Sequence, residues 1–170
     1  MEFWSAISLI GSPVAMTALC VVLSTLLLWN RERRAATAAI LIAGIGGLLN
    51  TALKDFVHRP RPPGAEKFLH GHSWSFPSGH AMGATIGFGM LAYCAVTYFP
   101  MSVVAQRLII ALCVLLAIAV GVSRVALGVH YRGDVIGGWL IGAAWLMIGI
   151  TTLRRFERQH AAVTGITPER

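Results

Sequence analysis

At 170 residues, 56% of them apolar and only 12% charged, the chain has room for one domain and carries far fewer charges than the roughly 25% usual in soluble domains. That composition describes an integral membrane protein. The net charge of +7 does not point to nucleic acid, because the basic residues sit at the ends of apolar runs and form no stripe interleaved with aromatics. Cys20, Cys94 and Cys113 lie inside apolar runs without metal-ligand spacing and read as packing thiols.

In chain order, residues 1–12 place Phe3, Trp4, Ile7 and Ile10 at helical spacing, which predicts a short interfacial helix, and Glu2 argues against a cleaved leader. Pro13–Trp29 is the first predicted span. At ~1.5 Å per residue it covers ~26 Å, short of a ~30 Å core unless its flanks help. Thr37–Leu53 is the second, with Gly44, Gly46 and Gly47 expected to let another helix approach. From Lys54 to His80 the composition turns to proline and histidine, a connection between helices. Ala81–Phe99, Arg107–Val122 and Val135–Leu153 are the remaining spans, and Gly83 with Gly87 and Gly138 with Gly142 are small-residue pairs suited to packing within the bundle. The tail, residues 154–170, is polar and expected to fray beyond about His160. The predicted architecture is an all-α membrane protein of one domain, with about five transmembrane helices and the N-terminal interfacial helix.

Two connections carry polar clusters, and five spans put both on one side. Lys54–His80 and Ser123–Asp134 are separated by an even number of crossings. Arg31, Arg33, Arg34, Arg107, Arg154, Arg155, Arg158 and Arg170 fall on the other side, which the positive-inside rule makes cytoplasmic. With Lys54, Arg61 and Arg124 set aside as functional, the polar side keeps only Arg59, Lys67 and Arg132. The clusters are therefore expected to face the periplasm or exterior of an inner (plasma) membrane.

His130 and Asp134, four apart, would share a helical face, where the carboxylate can hold one ring N–H and leave the other nitrogen free to attack. Arg124 adds a fork of donors suited to phosphate or carboxylate. The same residues would also suit a charged loop between helices. Lys54 and Arg61 are joined through a stiff, proline-rich segment that lets two cations converge. Ser78 can cap the helix that follows, whose first N–H groups can bind a phosphate oxygen, Gly79 lets backbone approach closely, and His80 stands where it could transfer a proton. Each cluster alone has a structural explanation. Their gathering on one side of a small bundle does not.

Lys54-x6-Arg61-Pro62, Pro77-Ser78-Gly79-His80 and Ser123-Arg124-x5-His130-x3-Asp134 resemble the three signature motifs of the type 2 phosphatidic acid phosphatase superfamily. The resemblance implies that His130 is a nucleophile forming a phosphohistidine, Asp134 orients it, and His80 is the general acid. It further implies that Lys54, Arg61, Ser78, Gly79 and Arg124 bind the phosphoryl oxygens. No metal or other cofactor is implied, since protein cations take the place of a Mg²⁺ ion. His58, His70 and His72 match no motif position. Membrane members of the family commonly have six spans, and this chain begins instead at the surface helix, so the bundle is closed by itself or completed by a second copy in a homodimer. The expected activity is hydrolysis of a lipid phosphate or diphosphate at the outer membrane interface. An isoprenyl (undecaprenyl) diphosphate is the leading substrate and phosphatidylglycerophosphate or phosphatidate the alternative. A non-catalytic phospholipid carrier or sensor would need the cations but neither histidine.

Overall fold

The computed structural model describes residues 2–65 and 73–164, and every regular element among them is a helix: α1 (Glu2–Ile10), α2 (Pro13–Trp29), α3 (Arg33–Val57), α4 (Gly79–Tyr98), α5 (Val103–Ala126) and α6 (Arg132–Thr164). Serine caps set three of the starts. The Ser12 hydroxyl accepts the Ala15 N–H at the head of α2, Ser78 that of Ala81 at α4, and Ser102 that of Ala105 at α5. Pro13 follows the first cap at a position where a missing N–H costs nothing.

Among the described residues five stretches are long and apolar enough to cross a membrane, and the chain is a multi-pass membrane protein. The first is 28 residues, Glu2–Trp29, because α1 and α2 follow each other with only a tight turn at Gly11–Ser12. The flanks do help α2, as its short length requires. Helix α1 leans on α5: Ser8 is buried there, and Trp4 packs on a small cluster of Ala65, Leu127 and Val129.

The predicted spans lie at the expected places; Pro13–Trp29 coincides with α2, while those of α3, α5 and α6 stop short of the helices at both ends. Helix α3 runs from Arg33 to Val57 instead of Thr37–Leu53, and α6 from Arg132 to Thr164 instead of Val135–Leu153. The polar tail is thus helical through Thr164, and of the tail, residues 165–170 lie outside the described structure. Hydropathy marks where a helix leaves the apolar core, not where its hydrogen bonds end. At α6 the continuation is held by the Tyr98 hydroxyl donating to Glu157 (2.8 Å) and by Arg154 over the Tyr93 ring (5.1 Å).

Helix α4 is the centre of the bundle, touching α2, α3, α5 and α6. One core joins Leu23, Leu27, Ala39, Ile42, Met82, Met90 and Leu146; a second joins Ala84 and Phe88 to Cys113 and Val120. Helix α6 reaches α4 closely because Gly138 and Gly142 have no side chain: a Cβ on Gly138 would lie 2.8 Å from the Ser78 carbonyl oxygen. The pair acts within the bundle, as expected. Of the three α3 glycines expected at a helix contact, only Gly46 meets neighbours among the described residues, Ile86 and Trp145; a Cβ on Gly44 or Gly47 would meet none of them within 4 Å.

Candidate active site

The connection from α5 to α6 is pinned by its own backbone. The Arg124 carbonyl accepts the N–H groups of both Val129 (3.1 Å) and His130 (3.3 Å), with Gly128 taking φ +70° to make the turn. His130 consequently stands just before α6, not on it. The expected sharing of a helical face is corrected to that extent, and the four-residue spacing still brings Nδ1 to 3.4 Å from Asp134 Oδ2.

Asp134 is fully buried and accepts three hydrogen bonds. Its Oδ1 accepts Arg59 Nη1 (2.9 Å), and its Oδ2 accepts the Ser75 hydroxyl (2.5 Å) and the Tyr131 N–H (2.9 Å). Ser75 Oγ also lies 3.4 Å from His130 Nδ1. On the other side of the ring, Arg61 Nη1 is 3.1 Å from His130 Nε2. A guanidinium can only donate, so Nε2 is the acceptor and the ring proton sits on Nδ1. Burial, reinforced by the charges of Arg61, Lys54 and Arg124, pushes the His130 imidazole down to about 2, so near neutral pH the ring is uncharged. A neutral imidazole with a lone pair on Nε2 is what nucleophilic attack requires.

The cations converge as expected but are anchored. Lys54 Nζ donates to the Trp74 carbonyl (2.6 Å); Arg61 donates to the carbonyls of Ser73 (2.7 Å) and Val129 (3.0 Å); Arg124 donates to Ser8 Oγ on α1. Arg124 Nε is buried without a hydrogen-bond partner among the described residues. Lys54, Arg61, Arg124, Gly79, His80 and His130 all line one end of a cavity of about 760 Å³. Its remainder is apolar and runs between α2, α3 and α4 past Met16, Cys20, Gly44, Gly47 and Met90. From Lys54 to Ala39, its deep end on α3, is ~22 Å at ~1.5 Å per residue, more than half a ~30 Å bilayer core.

Ser78 stands apart from the other expected phosphate ligands. Its side chain is fully buried, its hydroxyl caps α4, and its N–H donates to the Asp134 carbonyl (3.0 Å). The cavity is lined instead by the next two residues, Gly79 and His80, whose N–H groups, in the first turn of α4, have no intrahelical partner. The sequence reading passed over Arg59, Ser75, Ser73 and Asn50, the last lining the cavity beside Gly79. His58 caps α3 in a left-handed conformation and stacks edge-on against Trp74 (4.8 Å), a structural part. His70 and His72 lie outside the described residues.

A transmembrane helical bundle with a neutral, cation-ringed histidine above an apolar cleft defines a membrane-embedded lipid phosphatase. The chain matches the PAP2 superfamily over residues 35–158, and it belongs to that family. It is 33% identical over 141 residues to phosphatidylglycerophosphatase B of Bacillus subtilis (strain 168), covering 83% of this chain and 69% of the relative. Two solved structures are similar. A crystal structure of a transmembrane PAP2-type phosphatidylglycerolphosphate phosphatase from Bacillus subtilis has a TM-score of 0.83 at 29% identity, over 99% of this chain and 79% of that one. A crystal structure of Aquifex aeolicus LpxE has a TM-score of 0.63 at 25% identity, over 88% and 84%.

Proposed function

We propose that the protein hydrolyses a phosphate monoester on a membrane lipid, of the phosphatidylglycerophosphate or phosphatidate kind, through a phosphohistidine at His130. The observation that carries this reading is the continuity of the cavity: the His130 ring and its cations at one end, an apolar cleft of acyl-chain length at the other. His130 Nε2 attacks phosphorus as the bond to the lipid oxygen breaks, and His80, protonated when the phosphate anion joins the cations beside it, gives that oxygen the proton. Water, deprotonated by His80, then attacks phosphorus; the N–P bond breaks and inorganic phosphate leaves. Lys54, Arg61, Arg124 and the Gly79 N–H stabilise the charge on the transferring group, and Asp134 orients the nucleophile.

The order of substrates is reversed from the sequence reading, which put isoprenyl diphosphate first on the strength of three cations. Each of those cations spends donors on the protein: Lys54 on Trp74, Arg61 on Ser73 and Val129, Arg124 on Ser8. What remains suits one phosphoryl group better than two, and the relatives' names point the same way. Purified protein in micelles should release phosphate from phosphatidylglycerophosphate faster than from undecaprenyl or farnesyl diphosphate, and far faster than from glycerol phosphate. A diphosphate preferred by roughly tenfold, about 1.4 kcal/mol, would overturn the substrate while leaving the mechanism standing.

The site faces the outside of the plasma membrane in this reading, on the Lys and Arg bias of the opposite connections. With Cys20, Cys94 and Cys113 replaced by serine, Pro63→Cys should react with an impermeant thiol reagent in intact cells and Ala162→Cys should not. The opposite pattern inverts the topology.

A further inference from the structure

We infer that Ser75 is the residue through which Asp134 acts on His130, with Arg59 fixing the far side of the carboxylate. This positioning role rests on His130 being the nucleophile and goes beyond a direct histidine–aspartate pair.

Counting hydrogen bonds leads there. A carboxylate oxygen accepts along about two lone-pair directions. Asp134 Oδ2 already accepts from the Ser75 hydroxyl at 2.5 Å and the Tyr131 N–H at 2.9 Å. Oδ1 is engaged by Arg59 Nη1 at 2.9 Å. The His130 Nδ1 proton, placed there because Arg61 donates to Nε2, finds both Oδ2 and Ser75 Oγ at 3.4 Å. Of these two oxygens, Oδ2 is occupied. Ser75 has given its only proton to Asp134, so its lone pairs are open to Nδ1–H.

The chain of donation is therefore His130 Nδ1–H to Ser75 Oγ, and Ser75 O–H to Asp134 Oδ2. Each link polarises the next, so the aspartate charge reaches the ring through the hydroxyl. When Nε2 bonds to phosphorus the imidazole becomes cationic, and the Ser75 dipole, held by the carboxylate, faces that new charge.

The serine is itself held in place. Its N–H donates to the Arg59 carbonyl (2.8 Å), so one stretch of backbone ties the two together. Arg59 lies over the Tyr131 ring at 4.6 Å, and its side chain is 40% exposed while Asp134 is wholly buried. Arg59 thus supplies a buried carboxylate with a counter-charge from the rim, without entering the cavity where Lys54, Arg61 and Arg124 sit.

The test combines kinetics with the state of the ring. Ser75→Ala should lower kcat roughly 10–100-fold, the range seen for partners that orient a metal-bound imidazole, with KM unchanged, and Ser75→Thr should restore most of it. Because serine and aspartate act in series, Ser75→Ala/Asp134→Asn should cost no more than the worse single change; multiplied losses would show independent action and overturn the relay. NMR of wild-type protein carrying isotope-labelled histidine, with His130 assigned by its loss in His130→Gln, should show the proton on Nδ1. Finding it on Nε2 overturns the relay without any variant having to fold. Wild-type kcat in Ser75→Ala also overturns it and leaves the phosphohistidine reading intact; turnover by His130→Ala defeats that reading instead.

Discussion

His130→Ala should lose at least ~10⁴-fold in phosphate release from every lipid phosphate tested, about 5.5 kcal/mol of transition-state stabilisation. The magnitude follows from the way the site is divided. Among the described residues His130 is the one group at the cavity's polar end whose lone pair is presented by a donor on the opposite ring nitrogen. Lys54, Arg61 and Arg124 hold charge but cannot form the covalent bond, so they survive the substitution without replacing it. Binding should persist: orthovanadate, which takes up the five-coordinate geometry of a transferring phosphoryl group, should inhibit the wild type, and a lipid phosphate should still protect His130→Ala against thermal unfolding. A rapid quench of wild-type turnover should trap an acid-labile, alkali-stable phosphoenzyme that the variant lacks. EDTA should leave the wild-type rate unchanged, because the charge on the transferring group is met by three side-chain cations. Turnover by His130→Ala, or a rate lost in EDTA and restored by Mg²⁺, would remove the mechanism.

The apolar runs were enough to read the helices and their order, because in a bilayer every backbone polar group must be satisfied within its own segment. Helix ends were not legible in the same signal. Arg33, Lys54, Arg132 and Arg154 lie beyond the hydrophobic window yet inside continuous helices. The motif residues gathered as expected, since their spacing and an even number of crossings suffice to bring Lys54, Arg61, His80 and His130 to one cavity. The charge count takes Arg59 only as a topological charge, whereas it also pairs with Asp134 at 2.9 Å. A signal for it existed: Arg59 and Arg61 are two apart in a proline-stiffened segment, and residues i and i+2 of an extended chain point the same way. Ser75 carried no such mark, because its role depends on a carboxylate 59 positions away. Counting cations also overstated the clamp, as sequence cannot tell which donors the backbone consumes.

Gly47→Phe should separate long-chain from short-chain substrates. Gly47 lines the cleft, and a Cβ added there meets no atom of the described residues within 4 Å, so a side chain at this position leaves the backbone from open space. Replacing a mid-helix glycine also removes a propensity penalty of up to ~1 kcal/mol, so thermal stability should be unchanged or raised. The residue sits two turns from Lys54 along α3, ~10 Å at ~1.5 Å per residue, well above the deep end at Ala39. A tail lying in the cleft would be stopped there. If three methylene contacts are lost at about 0.8 kcal/mol each, the ~2.4 kcal/mol corresponds to a fall of roughly 60-fold in kcat/KM for a long-chain lipid phosphate. A dihexanoyl lipid, whose tails end above the block, should be turned over as by the wild type, which distinguishes occlusion from damage to the cations or to His130. Gly44→Phe, one turn deeper on the same face, should act on long chains with a smaller effect, since more of the tail is already bound before the obstruction. An equal loss for both chain lengths would mean that the phosphoryl site had been disturbed, and no loss for either would mean that the tail stays in the bilayer and the cleft is not its seat.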